Sequence, residues 1–255
     1  MVQNNNKRIA FITGATSGIG EATAKILSDS CNLIICGRRE NKLRTLKKDL
    51  EDKTNVMYLC FDVRDKLEIN KVFKSLPNEW KNIDILINNA GNAHGLDSID
   101  QGNIEEWESM IDINVKGLLF ISKEIIKSMC KKKSGHIINV GSIAGKEVYQ
   151  KGNIYCASKF AVDAISQGMR LDLVDKNIKV SQINPGLVNT GFSLVRFKNN
   201  KEKAEKVYEG MKPLKAIDVA ECINFILNRP DNVNISELTL LPKAQASSSL
   251  VIRKR

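Results

Sequence analysis

Ile9-Ala10-Phe11-Ile12 runs straight into Thr13-Gly14-Ala15-Thr16-Ser17-Gly18-Ile19-Gly20, and the next segment, Ile19 to Asp29, repeats its apolar residues three or four apart. The apolar run reads as a buried strand and the periodic segment as an amphipathic helix. Glycines at the corner permit a tight turn, a close approach of backbone to a ligand, and close packing of helix on strand. The helix start also offers unpaired N–H groups at the positive end of its dipole, so this corner is suited to a pyrophosphate. Its spacing is GxxxGxG rather than GxGxxG, and any strand-to-helix corner favours glycine. Its place on the first strand is what gives the turn weight.

Outward from this unit the pattern repeats. Further strands are expected at Leu33 to Cys36, Val56 to Val63, Ile83 to Asn88, His136 to Val140, Ile178 to Ile183 and Leu238 to Leu241. Helical spacing occupies Asn41 to Glu51, Lys66 to Ser75, Trp107 to Cys130, Ile154 to Val174 and Val219 to Leu227. Alternation of this kind predicts an α/β fold, a doubly wound parallel sheet covered on both faces. No Pro/Gly/Ser-rich linker interrupts it, so residues 1–255 are expected to form a single domain. The charged stretch Asn199 to Gly210 has no strand partner and reads as a mobile, lid-like helix within about residues 190–215. The tail, 244–255, is expected to be poorly ordered unless it packs on a neighbour.

The 255 residues carry a net charge of +10, with 42% hydrophobic and 27% charged residues, which fits a globular protein and excludes disordered or low-complexity classes. No apolar run approaches the roughly 20 residues that span a bilayer. Met1 to Arg8 is polar and lacks a secretory apolar run, so a cytoplasmic address without membrane association is expected. The basic residues are dispersed, which favours solvated faces over a nucleic-acid partner. Six scattered cysteines, with only His94 and His136 to assist, read as reduced thiols, and no metal site is expected.

The second strand ends in Cys36-Gly37-Arg38-Arg39, without the acidic residue that would hold free ribose hydroxyls. Two arginines there suit a 2′-phosphate and favour NADP over NAD, the alternative being solvated arginines at a helix start. Asp62-Val63 can take the adenine amino group and ring face, although an Asp at a strand end equally forms a turn. In the second half, Ser142 precedes Tyr155-Cys156-Ala157-Ser158-Lys159. Tyr155 and Lys159 lie four apart on one helix face. An ammonium at about 4 Å and an effective dielectric near 20 contributes roughly 4 kcal/mol, or about 3 pKa units, which would bring a phenol into the working range. Ser142 can donate to a substrate oxygen, and Asn114 can hold a water against Lys159 as a proton outlet.

These residues resemble the short-chain dehydrogenase/reductases along nearly the whole chain. Gly14 to Gly20, including Thr16, Ser17, Gly18 and Ile19, looks like the family's cofactor loop, and Asn88-Asn89-Ala90-Gly91 like its fourth-strand motif. Asn114, Ser142, Tyr155 and Lys159 look like its catalytic tetrad, Tyr155 and Lys159 touching the cofactor as well. Pro185-Gly186-Leu187-Val188-Asn189-Thr190 looks like the loop for the nicotinamide half. The resemblance implies a single Rossmann-type domain with a seven-stranded parallel sheet and commonly a homotetramer. A closer resemblance, carried by Gly135 to Tyr149, Val195 to Lys198 and Val233 to Ile235, is to NADP-dependent dehydrogenases of 3-hydroxy acids that act on serine, allo-threonine or malonic semialdehyde. It implies a small hydroxy acid as substrate, with hydride passing between its C3 and NADP. For its carboxylate a bidentate cation is expected, and Arg196 is the hypothesis, a surface loop arginine being the alternative. Reduction of carrier-bound 3-oxoacyl thioesters and a non-catalytic, cofactor-sensing role are the rival readings.

Overall fold

Arg8–Ile12 forms β1, followed by α1 (Gly18–Leu27), β2 (Cys31–Gly37), α2 (Glu40–Leu50), β3 (Val56–Cys60), α3 (Lys66–Ser75) and β4 (Ile85–Asn88). The second half runs α4 (Ile104–Ile111), α5 (Leu118–Lys132), β5 (Gly135–Val140), α6 (Asn153–Leu173), β6 (Ile178–Pro185), β7 (Val188–Asn189), α7 (Phe192–Arg196), α8 (Lys201–Lys206), β8 (Leu214–Lys215), α9 (Ala216–Leu227) and β9 (Glu237–Leu240). This computed structural model describes residues 7–254; Met1–Asn6, part of the polar start read above, and Arg255 lie outside the described residues.

Seven strands make one parallel sheet in the order β3-β2-β1-β4-β5-β6-β9. The order reverses between β1 and β4, and a ligand crevice opens beyond the carboxyl ends of strands at such a switch. Apolar side chains fill both faces, as continuous apolar strands require. One core gathers Leu27, Leu43, Leu46, Leu50, Ile223 and Ile226 from α1, α2 and α9. The other gathers Ile69, Ile121, Ile125, Met129 and Leu173 from α3, α5 and α6. Each such side chain, fully buried, contributes about 1.5–3 kcal/mol. Within the second layer a polar ladder is also sealed: Asn88 Nδ2 donates to Asn139 Oδ1 and Ser122 Oγ, each at 2.9 Å, and Asn139 Nδ2 to Ser166 Oγ at 2.9 Å.

Three expectations are corrected, those for the long helix, the third strand and the tail. The helix expected over Trp107 to Cys130 starts earlier, at Ile104, and is interrupted by a π-turn over Asp112–Gly117 between α4 and α5. Such a turn re-aims side chains and is common at functional sites; here it carries Asn114. The third strand stops at Cys60 rather than Val63, where Asp62 accepts from Arg64 N at 3.0 Å and begins a turn. The lid is bracketed by a two-stranded parallel ribbon of β7 and β8, so its base is pinned at both ends.

The tail, finally, packs on its own chain. Gln245 pairs with Val251, Ile252 N donates to Ala244 O at 2.8 Å, and Gln245, only 6% exposed, accepts from Leu187 N at 2.8 Å. Arg253 then donates to Val207 O at 2.9 Å and Lys254 N to Gly210 O at 2.8 Å, joining the tail to the end of the lid segment. Apart from the Gln245 side chain, backbone carbonyls accept these bonds, which is why side-chain pattern gave no sign of them.

Candidate active site

The glycine corner is held from outside by Asn89. Its Nδ2 donates to Thr13 O at 2.9 Å and Gly14 O at 3.2 Å, while Asn89 N and Ala90 N each donate to Thr13 Oγ1 at 2.9 Å. Gly14 and Gly18 have φ of +65° and +58°, a region unfavourable for other residues. A Cβ on Gly20 would stand 2.4 Å from Asn89 Nδ2 and 2.5 Å from Gly14 O, so the third glycine is required by contact. Asn88 differs from its neighbours, its side chain being turned into the polar ladder and away from the corner.

At the start of α1, Ser17 makes no side-chain cap to the helix. Its hydroxyl and that of Thr16 accept instead from Arg39 Nη2, at 2.8 and 2.7 Å. The leading N–H groups of α1 are therefore left for another acceptor, beside a fixed guanidinium, which fits an anionic dinucleotide. Arg38 is freer, its side chain 60% exposed and 3.5 Å from Asp62. Asp62 also meets Arg64 Nη2 at 2.8 Å; burial pushes its carboxyl up, but the Arg64 and Arg38 contacts outweigh that and hold it below the usual range. Arg64 is a residue the sequence reading missed. Val63 is buried, and its Cγ2 would be 2.8 Å from a Cβ on Gly117, so Gly117 lets the π-turn lie against it.

On the other side of α1, Thr190 stands 3.3 Å from the place of a Gly18 Cβ, bringing the loop after β6 to the glycine corner. Pro185 O accepts a long bond from Ser142 Oγ at 3.5 Å, Gly186 N donates to Leu240 O at 2.9 Å, and Val188 lies in β7.

Ser142 follows β5, and its Oγ accepts from Ala144 N at 3.1 Å. It also lies close enough to the Tyr155 phenol to favour its ionised form. Lys159 is 7% exposed and donates to Val140 O at 2.9 Å; burial brings its pKa down to about 8. Asn114 Nδ2 donates to Asn92 O and Ser158 Oγ, both at 2.9 Å, and its Oδ1 accepts from Asn92 N at 2.9 Å. A Cβ on Gly91 would lie 3.1 Å from Asn114 Oδ1 and 3.7 Å from Lys159 Nζ, so glycine there leaves a small gap bordered by both groups.

The expected effect of Lys159 on Tyr155 is not found in this geometry. Lys159 Nζ is 6.0 Å from the phenol ring centre, whereas Arg196 Cζ is at 4.9 Å. Burial raises the Tyr155 pKa above its usual value, and the opposing pulls come from Arg196 and the Ser142 hydrogen bond. Spacing on a helix face gave proximity, but the ammonium is directed to the Val140 carbonyl.

Arg196 is thus no surface loop arginine. It ends α7, donates to Tyr149 Oη at 2.8 Å, stacks 5.3 Å from the Phe192 ring, and leaves a buried Nε without a partner. Gly95 N donates to Arg196 O at 3.0 Å, and Lys198 Nζ pairs with Glu106 Oε1 at 2.6 Å, so the lid segment is fastened to the wall opposite. Beneath it lies a narrow cleft, nearly filled by its own side chains, lined by His94, Asp97, Glu106, Tyr149, Tyr155 and Arg196 among others. Tyr149 stood in the quoted Gly135 to Tyr149 stretch without a role; its phenol, raised to about 12 chiefly by burial, stays protonated.

A family model described as short chain dehydrogenase matches residues 8–202. The chain is similar to the NADP-dependent 3-hydroxy acid dehydrogenase YdfG of Escherichia coli strain K12, 40% identical over 249 residues, which cover 97% of this chain and all of the relative. A second similar protein is the NADP-dependent 3-hydroxy acid dehydrogenase of Schizosaccharomyces pombe, 40% identical with 96% of each chain covered. Among solved structures, the closed form of serine dehydrogenase complexed with NADP⁺ superposes with a TM-score of 0.90 at 40% identity, covering 97% of this chain and all of that one.

Proposed function

Because the chain belongs to the short-chain dehydrogenase family, we propose that it transfers a hydride between NADP and C3 of a short 3-hydroxy acid of the serine, allo-threonine or 3-hydroxypropionate type. The enzyme is an NADP-dependent dehydrogenase acting on CH–OH groups. The observation that carries the substrate class is Arg196: a guanidinium with a buried, unpartnered Nε, stacked on Tyr155 in a narrow cleft that Tyr155 also lines. A carboxylate would satisfy that donor by a charge-assisted hydrogen bond.

NADP, when bound, supplies the hydride acceptor or donor. The residues that would hold it are the α1 start with Thr16, Ser17 and Ile19, Arg38 and Arg39 at the 2′-phosphate, Asp62 and Val63 at the adenine, Asn89 to Gly91 beside the corner, and Pro185 to Thr190 with Tyr155 and Lys159 at the nicotinamide end. Asn88 contributes through the sheet interior. Arg196 orients the acid. Ser142 donates to the reacting oxygen, and Tyr155 takes the hydroxyl proton during oxidation. From Tyr155 the proton leaves toward Lys159 and a water held in the Gly91 gap against Asn114. Proton transfer of this kind is worth about 10²- to 10⁴-fold in rate. Tyr155→Phe should therefore reduce turnover at least about a hundredfold while leaving NADPH affinity, read by fluorescence titration, within about twofold; retained activity would reject the mechanism.

A homotetramer and a cytoplasmic address complete the proposal. Leu119 on α5, Phe160 and Leu171 on α6, and Phe225 on α9 are exposed apolar side chains on outer helices, which supports association. Light scattering of the purified protein tests it. No helix among the described residues is long and apolar enough to cross a membrane.

A further inference from the structure

His94 stands on the loop leaving β4, three residues beyond Gly91, and takes no part in the chemistry above. It lines the same cleft as Tyr155 and Arg196. Its ring is held at one nitrogen only: Asn92 Nδ2 lies 2.7 Å from His94 Nε2. Nδ1 makes no hydrogen bond among the described residues and, unlike Asn92 Oδ1, is not a sealed orphan. Asn92 is fixed in turn by Asn114, which brackets its backbone N and O with two bonds of 2.9 Å. The Asn92 side chain also reaches Ser109 Oγ at 3.3 Å, and its Oδ1 is buried without a partner. A buried acceptor left unpaired costs about 1–3 kcal/mol, and such groups call for an explanation.

With the Asn92 amide nitrogen donating, His94 Nε2 is the acceptor, so the proton of the neutral ring sits on Nδ1. Burial, aided by Lys198, Arg38 and Arg64 and opposed by Glu106, holds the imidazole below its usual pKa and so neutral at pH 7. In that tautomer the ring is a neutral donor in a cleft that already has a cationic one.

We propose that His94 is a substrate-recognition residue, donating Nδ1–H to the carboxylate of the hydroxy acid that Arg196 pairs. The inference rests on the hydroxy-acid reading and deepens it. A guanidinium alone leaves an acid free to pivot about the ion pair. A second donor at a different angle fixes that rotation, and with it the direction in which C3 and its hydroxyl meet Ser142 and Tyr155.

The test is calorimetric titration of NADPH-loaded protein with 3-hydroxypropionate, beside initial rates of NADP⁺ reduction with the same acid. His94→Leu should weaken acid binding about tenfold, the loss of a hydrogen bond to a charged group, and lower kcat about tenfold as the reacting carbon loses its fixed direction, with NADPH affinity unchanged. His94→Asn, whose amide nitrogen stands near the place of Nδ1, should bind the acid within about threefold of the parent. Unchanged binding in His94→Leu, or equal losses in the Leu and Asn variants, would overturn the inference, the second outcome indicating bulk rather than a donor. Hydroxy-acid turnover with no His94 effect would sink this inference alone. His94-dependent binding without turnover would keep the carboxylate contact and sink the reaction assigned to it. A parent protein that neither binds nor oxidises the acid would reject both.

Discussion

The two ends of the cleft are built on different principles. At the cofactor end the constraints fall on glycine backbone: Gly14 and Gly18 adopt positive φ, and Gly20 admits no Cβ against Asn89, which braces the turn from just beyond β4. At the substrate end the groups come together from distant segments: Tyr149 and Tyr155 around the start of α6, Arg196 from the lid segment, His94 from the β4 loop, and a tail that folds back on Leu187 and Gly210. A backbone constraint leaves a mark in the sequence, as glycine. A side-chain contact between distant segments that constrains no glycine leaves none, so the specific half of such an enzyme is the less legible half.

The comparison can be broken most sharply at Gly20. An added methyl in so tight a space costs about 1–3 kcal/mol, and Gly20→Ala is expected to raise the NADPH dissociation constant up to about a hundredfold. A Gly20→Ala protein that binds NADPH normally would show that the corner is less constrained than its contacts imply.

The substrate end should give a different signature. Arg196→Met is expected to raise KM for hydroxy acids about 30-fold, a charge-assisted contact being worth about 1.5–3 kcal/mol, while sparing alcohols without a carboxylate. Equal effects on both would reject the role. Arg196 also opposes the burial that raises Tyr155. Its removal should therefore raise the phenol's pKa further, moving the alkaline rise of kcat/KM for oxidation to higher pH, because the base works as phenolate. A pH profile with an unmoved or lowered midpoint would remove Arg196 from the electrostatics of the site.

A smaller effect separates the two arginines that the sequence left equal. Arg39 is held by Thr16 and Ser17, whereas Arg38 is mostly solvated. Arg39→Ala should lower the preference for NADP over NAD about tenfold, the value of a single charge-assisted contact, and Arg38→Ala by less. The reverse order would show that the fixed guanidinium serves the loop rather than the phosphate.

The sheet and its helices were readable because apolar periodicity is set by which faces are buried, and the strands of this core are buried on both. Local spacing set Tyr155 and Lys159 on one face of α6, whereas the roles of the ordered set Gly14 to Gly20, Asn114, Ser142, Tyr155 and Lys159 rest on the family resemblance. What remained hidden depended on direction. Lys159 points to the Val140 carbonyl rather than to the phenol, Asn88 points into the sheet, and Arg64, two residues beyond Asp62, closes on it in a turn. The π-turn that aims Asn114 breaks no apolar pattern, so α4 and α5 read as one helix.

The most direct test of the central claim is the initial rate of NADP⁺ reduction with L-serine, L-allo-threonine and 3-hydroxypropionate at mildly alkaline pH, NAD⁺ being run in parallel. Turnover of at least one of these acids with NADP⁺, and much slower turnover with NAD⁺, is expected. Silence on all three, in a protein that binds NADPH, or equal rates with the two cofactors, would contradict it.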